Sequence, residues 1–250
     1  MINKDYANNI PYTFAQRLGP IIGSLIGVWK KPSESFMYIL LAFAAGVMLA
    51  ISFLELIPES IGISSIFIAS MGVLIGALLM YGFDKLIPQI HPEMCSQEQG
   101  CRLKKTSVYL LFGIFLHNLP EGLAIASGLI VGGSTTILIA LAIAIHNIPE
   151  GICTSAPYYK CTGKKLKSFL LSSSTAIPLL AGFLIGKFVF PGISLQLMGG
   201  IIAATAGLMI YISGDELIPT SCNKGNEGWD HSTIFALIMG ILFVMLLGMI

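Results

Sequence analysis

One six-residue phrase occurs twice in this chain, each time inside an otherwise apolar run. The first copy is His117-Asn118-Leu119-Pro120-Glu121-Gly122 and the second is His146-Asn147-Ile148-Pro149-Glu150-Gly151, 29 positions later. The surrounding stretches, 108–130 and 137–156, contain no Lys, Arg or Asp. An imidazole, an amide and a carboxylate are each costly in such surroundings unless something polar or charged meets them. Repeating that cost in the same order argues for a shared partner. In a helix, positions i and i+4 share a face, so His117 projects with Glu121 and His146 with Glu150. Asn118 and Asn147 lie at the margin of the same faces. Two carboxylates match the charge of a divalent cation. Imidazole with carboxylate suits Zn²⁺, Fe²⁺ and other first-row ions better than Mg²⁺ or Ca²⁺, which prefer all-oxygen sites. Pro120 and Pro149 cannot donate backbone bonds and push away the carbonyls of Leu116 and Ile145, which predicts kinks that widen the gap between helices. Gly122 and Gly151 permit close helix approach.

These phrases need elements to position them, and composition says which kind. Of 250 residues, 55% are hydrophobic and only 11% charged, with a mean hydropathy of +0.83. Soluble domains carry about 25% charged residues, so the expected fold is an all-α integral membrane protein. A net charge of +1 gives no reason to expect nucleic acid. Met1 to Asn9 shows neither a basic n-region feeding a short apolar core nor a cleavage site, and is read as part of the mature chain. A spanning helix needs about 20 apolar residues. Eight segments qualify, at roughly 8–29, 36–57, 64–83, 107–130, 134–158, 166–190, 195–219 and 231–250. The first is the weakest because Gln16 and Arg17 interrupt it. Residues 1–250 read as one transmembrane domain, with a polar loop at about 84–106 between the third and fourth spans. Of the 14 Lys and Arg, 11 follow odd-numbered spans: Lys30, Lys31, Lys85, Arg102, Lys104, Lys105, Lys160, Lys164, Lys165, Lys167 and Lys224. That asymmetry predicts a plasma-membrane protein with both termini outside.

A second repeat links the halves. Gly46-x-Met48-x-x-Ile51-Ser52-x-x-Glu55-Leu56-Ile57-Pro58 closes the second span, and Gly207-x-Met209-x-x-Ile212-Ser213-x-x-Glu216-Leu217-Ile218-Pro219 closes the seventh, 161 positions on. In this topology the two spans run antiparallel, as do the fourth and fifth. Antiparallel copies predict an inverted repeat of spans 1–3 and 6–8 around spans 4 and 5, a device of secondary transporters with midplane sites. Glu55 at the outer end of the second span, and Asp84, Asp215 and Glu216 at the opposite side, are candidate pathway residues; Glu59 reads as an ordinary interfacial acid. The loop carrying His91, Glu93, Cys95 and Cys101 fits no standard zinc module and reads as flexible, its thiols reduced.

The paired phrase on two consecutive spans resembles the ZIP (Zrt/Irt-like) metal transporters, particularly their bacterial GufA-type branch. The likeness covers nearly the whole chain, including Gly46-Val47-Met48 and Asp215-Glu216-Leu217-Ile218-Pro219. The resemblance implies transport of Zn²⁺, with Fe²⁺, Mn²⁺ or Cd²⁺ as alternatives, towards the cytoplasm. The metal is then a substrate, no cofactor is required, and a homodimer is the implied assembly. It also implies that His117, Asn118, Glu121, His146, Asn147 and Glu150 bind metal, with Met48 as a further ligand and the Asp215-Glu216 pair near metal exit. One departure stands out. Family members with a two-metal centre often carry a Glu just before a proline of the sixth span, where this chain has Ile177 before Pro178. One ion per centre is therefore expected.

Competing functions leave weaker traces. No phosphate-binding Gly-x-x-x-x-Gly-Lys-Ser/Thr motif is present, so ATP-driven chemistry is not expected. An intramembrane metal-dependent hydrolase is the alternative, with one Glu as base on a metal-bound water. Against it, the sequence contains no His-Glu-x-x-His and no Glu-x-x-His pair of di-iron bundles. A sensor would want a signalling domain, for which no sequence remains. The chain is read as a transporter and not as an enzyme.

Overall fold

The computed structural model describes residues 10–29, 33–86, 115, 118–127, 129, 133–222 and 231–249. Among these residues the regular elements are all helical: α1 (Ile10–Trp29), α2 (Glu34–Ala50), α3 (Ile57–Ile63), α4 (Ile66–Leu86), α5 (118–127), α6 (Gly133–Thr162), α7 (Lys165–Ser173), α8 (Ala176–Val189), α9 (Leu195–Ile212), α10 (Ile218–Cys222) and α11 (His231–Leu247). Among the described residues, five helical stretches are long and apolar enough to cross a membrane: Tyr38–Ile63, Ile66–Phe83, Thr136–Ala156, Lys165–Gly192 and Leu195–Leu217. Arg17–Trp29 and His231–Leu247 are shorter apolar helices. The outer face of α4 leaves Phe67, Leu74 and Leu78 exposed, which suits acyl chains rather than water.

Proline decides where the helices depart from the sequence reading. The second span is expected to stop near 57, but α2 runs through a π turn at Ile51–Leu56 directly into α3 and ends at Ile63. Pro58 has no N–H to offer the Leu54 carbonyl. Widening the turn by one residue lets the chain pass: the Ile57 N–H bonds the Ser52 carbonyl, five residues back. The Ser52 hydroxyl donates to the Met48 carbonyl at 2.8 Å. The seventh span repeats the device at Ser213–Leu217 ahead of Pro219. There the Ile218 N–H bonds the Ser213 carbonyl and the Ser213 hydroxyl donates to the Met209 carbonyl at 2.8 Å. Helix α10 then continues to Cys222, beyond the expected end at 219.

The sixth span handles its proline differently. Pro178 leaves the Ser174 carbonyl without its usual donor, and the Ile177 N–H takes it at 3.0 Å in a tightened turn. The helix is thereby broken at Ser174–Thr175, between α7 and α8. By contrast α6 stays helical through Pro149.

Packing brings the two phrase-bearing helices into the centre. Helix α1 lies along α6, α4 along α9, and α11 along α2, which also packs against α6. The phrase glycines set the spacing. A Cβ on Gly122 would collide with the Leu179 carbonyl and stand 2.6 Å from the Phe183 nitrogen, both on α8. One on Gly151 would stand 2.6 Å from the Pro20 carbonyl oxygen and 2.8 Å from the Ser24 nitrogen, both on α1. Backbones this close exclude any side chain larger than hydrogen. Around them Met48, Ile51, Ile125, Ile139, Ile143, Leu179 and Met209 form one unexposed apolar cluster.

Candidate metal centre

Helix α6 has 30 residues, or about 45 Å of rise, and His146 stands roughly 20 Å from its start. The second phrase is therefore mid-helix. Its His146 and Glu150 share a face, one turn apart, and meet Glu121 of α5. Their ligand atoms all lie within 4.8 Å of one another. Exposure is 0% for Glu121, His146 and Asn147 and 1% for Glu150. A carboxylate pair in so dry a place has a cost that hydrogen bonds alone seldom cover.

The contacts fix the protons. A carbonyl only accepts, so His146 Nδ1 carries a hydrogen and donates it to the Ala142 carbonyl at 3.0 Å. His146 Nε2 then faces Glu121 Oε1 at 2.8 Å across a single proton. Asn147 Nδ2 donates to the other oxygen, Glu121 Oε2, at 3.0 Å. Asn118 Nδ2 donates to the Thr175 carbonyl at 2.7 Å. Both amide orientations follow, because carboxylate and carbonyl oxygens cannot donate. Each leaves its amide oxygen, Asn118 Oδ1 and Asn147 Oδ1, buried with no hydrogen-bond partner among the described residues. A buried orphan acceptor costs about 1–3 kcal/mol, a cost that coordination to a cation would remove. Imidazole nitrogen and carboxylate oxygens together make a donor set for a borderline dication.

The structure does not bring every sequence-predicted residue into view. His117 lies outside the described residues, as does the 87–114 stretch with His91, Glu93, Cys95 and Cys101. Met48 is unexposed in the cluster that includes Ile139 and Ile143 of α6. Asp84 stands in the last turn of α4, with its side chain outside the described set. Glu55 is half-buried within the first π turn; in the second, Asp215 is exposed and Glu216 half-buried. Glu59 departs from the expected interfacial acid, since both its carboxylate oxygens are buried. Ser127 of α5 lies beside it, although that hydroxyl spends its proton on the Ala124 carbonyl at 2.7 Å. Ile177 is 60% exposed; from the sixth span, the Thr175 carbonyl accepts the Asn118 amide.

Sequence reasoning also missed a buried hydroxyl cluster beside Glu150. Ser172 of α7 contacts Ser24 of α1 at 2.6 Å and Thr154 of α6 at 2.5 Å, and donates to the Gly151 carbonyl at 3.1 Å. Thr154 also bonds the Glu150 carbonyl at 2.9 Å. The Ser172–Thr175 run just before Pro178 is the signal that would have found both the cluster and the Thr175 contact.

Comparison with known proteins adds an independent line. The family model described as ZIP Zinc transporter matches residues 12–102 and 89–248. The chain is 38% identical over 210 residues to the zinc transporter ZupT of Escherichia coli O127:H6 (strain E2348/69 / EPEC), covering 79% of this chain and 80% of that protein. It is likewise 38% identical to the zinc transporters ZupT of Enterobacter sp. (strain 638), over 211 residues, and Salmonella heidelberg (strain SL476), over 215 residues, with the same coverage.

Proposed function

The chain belongs to the ZIP zinc transporter family and moves divalent metal ions across a membrane; on that premise we propose that zinc is the ion carried and that it binds between α5 and α6. The observation that carries this reading is the convergence of Glu121, His146 and Glu150 within 4.8 Å in a fully buried pocket. The hydrolase alternative has no support, because the matched family is one of transporters.

Binding follows from the contacts. The Ala142 bond holds the imidazole so that Nε2 points at the pocket, and the ion takes the Nε2 lone pair as the proton shared with Glu121 leaves. Asn147 keeps Glu121 Oε2 in place. Two carboxylates neutralise the dication, which makes a dehydrated stop in the bilayer tolerable. Asn118, Asn147, His117 and Met48 complete the proposed ligand set.

The proposed path follows the sequence reading: eight spans, both termini outside, and a cytoplasmic 84–106 loop. Metal passes Glu55 on the outer side and leaves past Asp84, Asp215 and Glu216. The matching π turns of the second and seventh spans support an inverted repeat, since equivalent backbone devices on opposite sides are what two gates require. A homodimer rests on the family resemblance alone. The test is flux. Proteoliposomes holding a trapped zinc indicator should brighten with the wild-type chain, and the Glu121→Ala/Glu150→Ala double variant should match protein-free vesicles. Near-wild-type flux in that variant would refute the site.

A further inference from the structure

The corner between α6 and α7 carries charge that metal transport does not use. Lys164, Lys165 and Lys167 are all exposed there, and with Leu166, Leu170 and Leu171 they line an open groove of about 650 Å³. No Asp or Glu occurs anywhere from residue 151 to residue 214, so no nearby carboxylate in sequence neutralises them. The candidate spans Thr136–Ala156 and Lys165–Gly192 end and begin on either side of this corner, which places the lysines where hydrocarbon gives way to headgroups.

The groove has two zones. At the turn, where Gly163 adopts a left-handed φ of +66°, Lys164 and Lys165 follow directly and Lys167 two residues on. Further along α7, Leu166 and Leu170 are 70% and 57% exposed. Trp29, at the end of α1 and 77% exposed, lies beneath Lys165, whose Nζ is 5.9 Å from the indole ring. An amphipathic ring at that level is the usual mark of the membrane–water boundary. Cations above leucines, bordered by an interfacial tryptophan, complement a molecule with an anionic head and an apolar tail. We propose that this groove binds an anionic phospholipid of the surrounding bilayer, its phosphate held by Lys164, Lys165 and Lys167 and an acyl chain laid along Leu166 and Leu170.

The position gives such a lipid leverage. Helix α7 also carries Ser172, which bonds the Gly151 carbonyl and contacts Thr154 and Ser24. A lipid seated on the lysine end therefore braces the helix that packs beside Glu150. The site stands apart from the metal ligands, so the proposal does not depend on their assignment.

Trp29 supplies the reporter. The chain has 2 tryptophans, and Trp229→Phe leaves Trp29 alone. In nanodiscs of phosphatidylcholine containing a small fraction of brominated phosphatidylglycerol, Trp29 fluorescence should be quenched several-fold more than by the same fraction of brominated phosphatidylcholine. Each lysine near an anionic headgroup is worth about fivefold in binding, so K164S/K165S/K167S should weaken the excess on the order of a hundredfold. High salt should erode it as well. Equal quenching by the two lipids in the wild-type background would overturn the proposal without reference to any variant. So would a preference that survives the triple substitution, or one abolished by millimolar inorganic phosphate, which would make the groove a free-anion site. Zinc flux in vesicles of phosphatidylcholine alone should be the same for the triple variant as for wild type; a loss there would assign the lysines to transport itself.

Discussion

The two copies of His-Asn-x-Pro-Glu-Gly have the same residues and different partners. In the second copy, His146 and Asn147 both turn to the first copy's carboxylate, so that Glu121 is gripped at each oxygen, at 2.8 and 3.0 Å. In the first copy, the Asn118 amide donates instead to the broken sixth span at Thr175. Among the described residues, then, the contacts of the two copies differ. Among the described residues, α6 supplies one imidazole, the amide clamp and the Glu150 carboxylate, and α5 supplies the clamped carboxylate. Duplication provides the chemistry, and the neighbouring helices decide how each copy is used.

That asymmetry separates two substitutions that a symmetric site would make alike. Glu121→Ala and Glu150→Ala should each abolish zinc flux in proteoliposomes. Their effects on stability should differ. Glu121→Ala strips the acceptor from both His146 Nε2 and Asn147 Nδ2, and breaking a buried charged pair costs about 3–5 kcal/mol. Glu150→Ala leaves those two contacts intact but removes Glu150's own; thermal unfolding midpoints in detergent weigh one set against the other, and the larger drop is expected for Glu121→Ala. Equal midpoints would mean that Glu150 is held as firmly as Glu121 and that the difference between the copies does not extend to stability.

The amides come next. Asn147→Ala removes a hydrogen bond to a carboxylate, worth about 1.5–3 kcal/mol, whereas Asn118→Ala removes one to a neutral carbonyl, worth about 1 kcal/mol. Flux should therefore fall more for Asn147→Ala, and zinc affinity measured by competition with a chelating dye should fall with it. A larger loss for Asn118→Ala would shift the weight of the centre to the sixth span.

Much of this was legible beforehand, for a physical reason. Polar residues within apolar runs are costly enough that Glu121, His146 and Glu150 announce themselves, and helical spacing puts the latter two on one face. The all-helical membrane fold follows as directly from hydropathy. Who bonds whom was hidden, because His146 reaches Glu121 across 25 positions and Asn118 reaches Thr175 across 57, distances at which sequence pattern carries no pairing. Proline misled twice. Pro58 and Pro219 look like helix ends, yet a π turn anchored by Ser52 or Ser213 carries the chain past each. Pro178 follows the Ser174–Thr175 break, where the Thr175 carbonyl takes the Asn118 amide. A small hydroxyl residue a turn or more before a proline was the cue in all three places.

The glycines mark where the two copies are alike, and there the expected effects are equal. Gly122 meets α8 and Gly151 meets α1, each so closely that a methyl group would strike backbone atoms, Leu179 in one case and Pro20 in the other. Backbone cannot rotate away as a side chain can, so Gly122→Ala and Gly151→Ala must each push a helix outward, at about 1–3 kcal/mol. Unfolding midpoints should drop by similar amounts in both. Flux should fall in both as well, because moving α5 or α6 by even a few tenths of an ångström spreads the three ligand atoms. A lowered midpoint with unchanged flux in either variant would show that the centre tolerates looser packing on that side, and would carry the asymmetry of the polar contacts into the helix packing too.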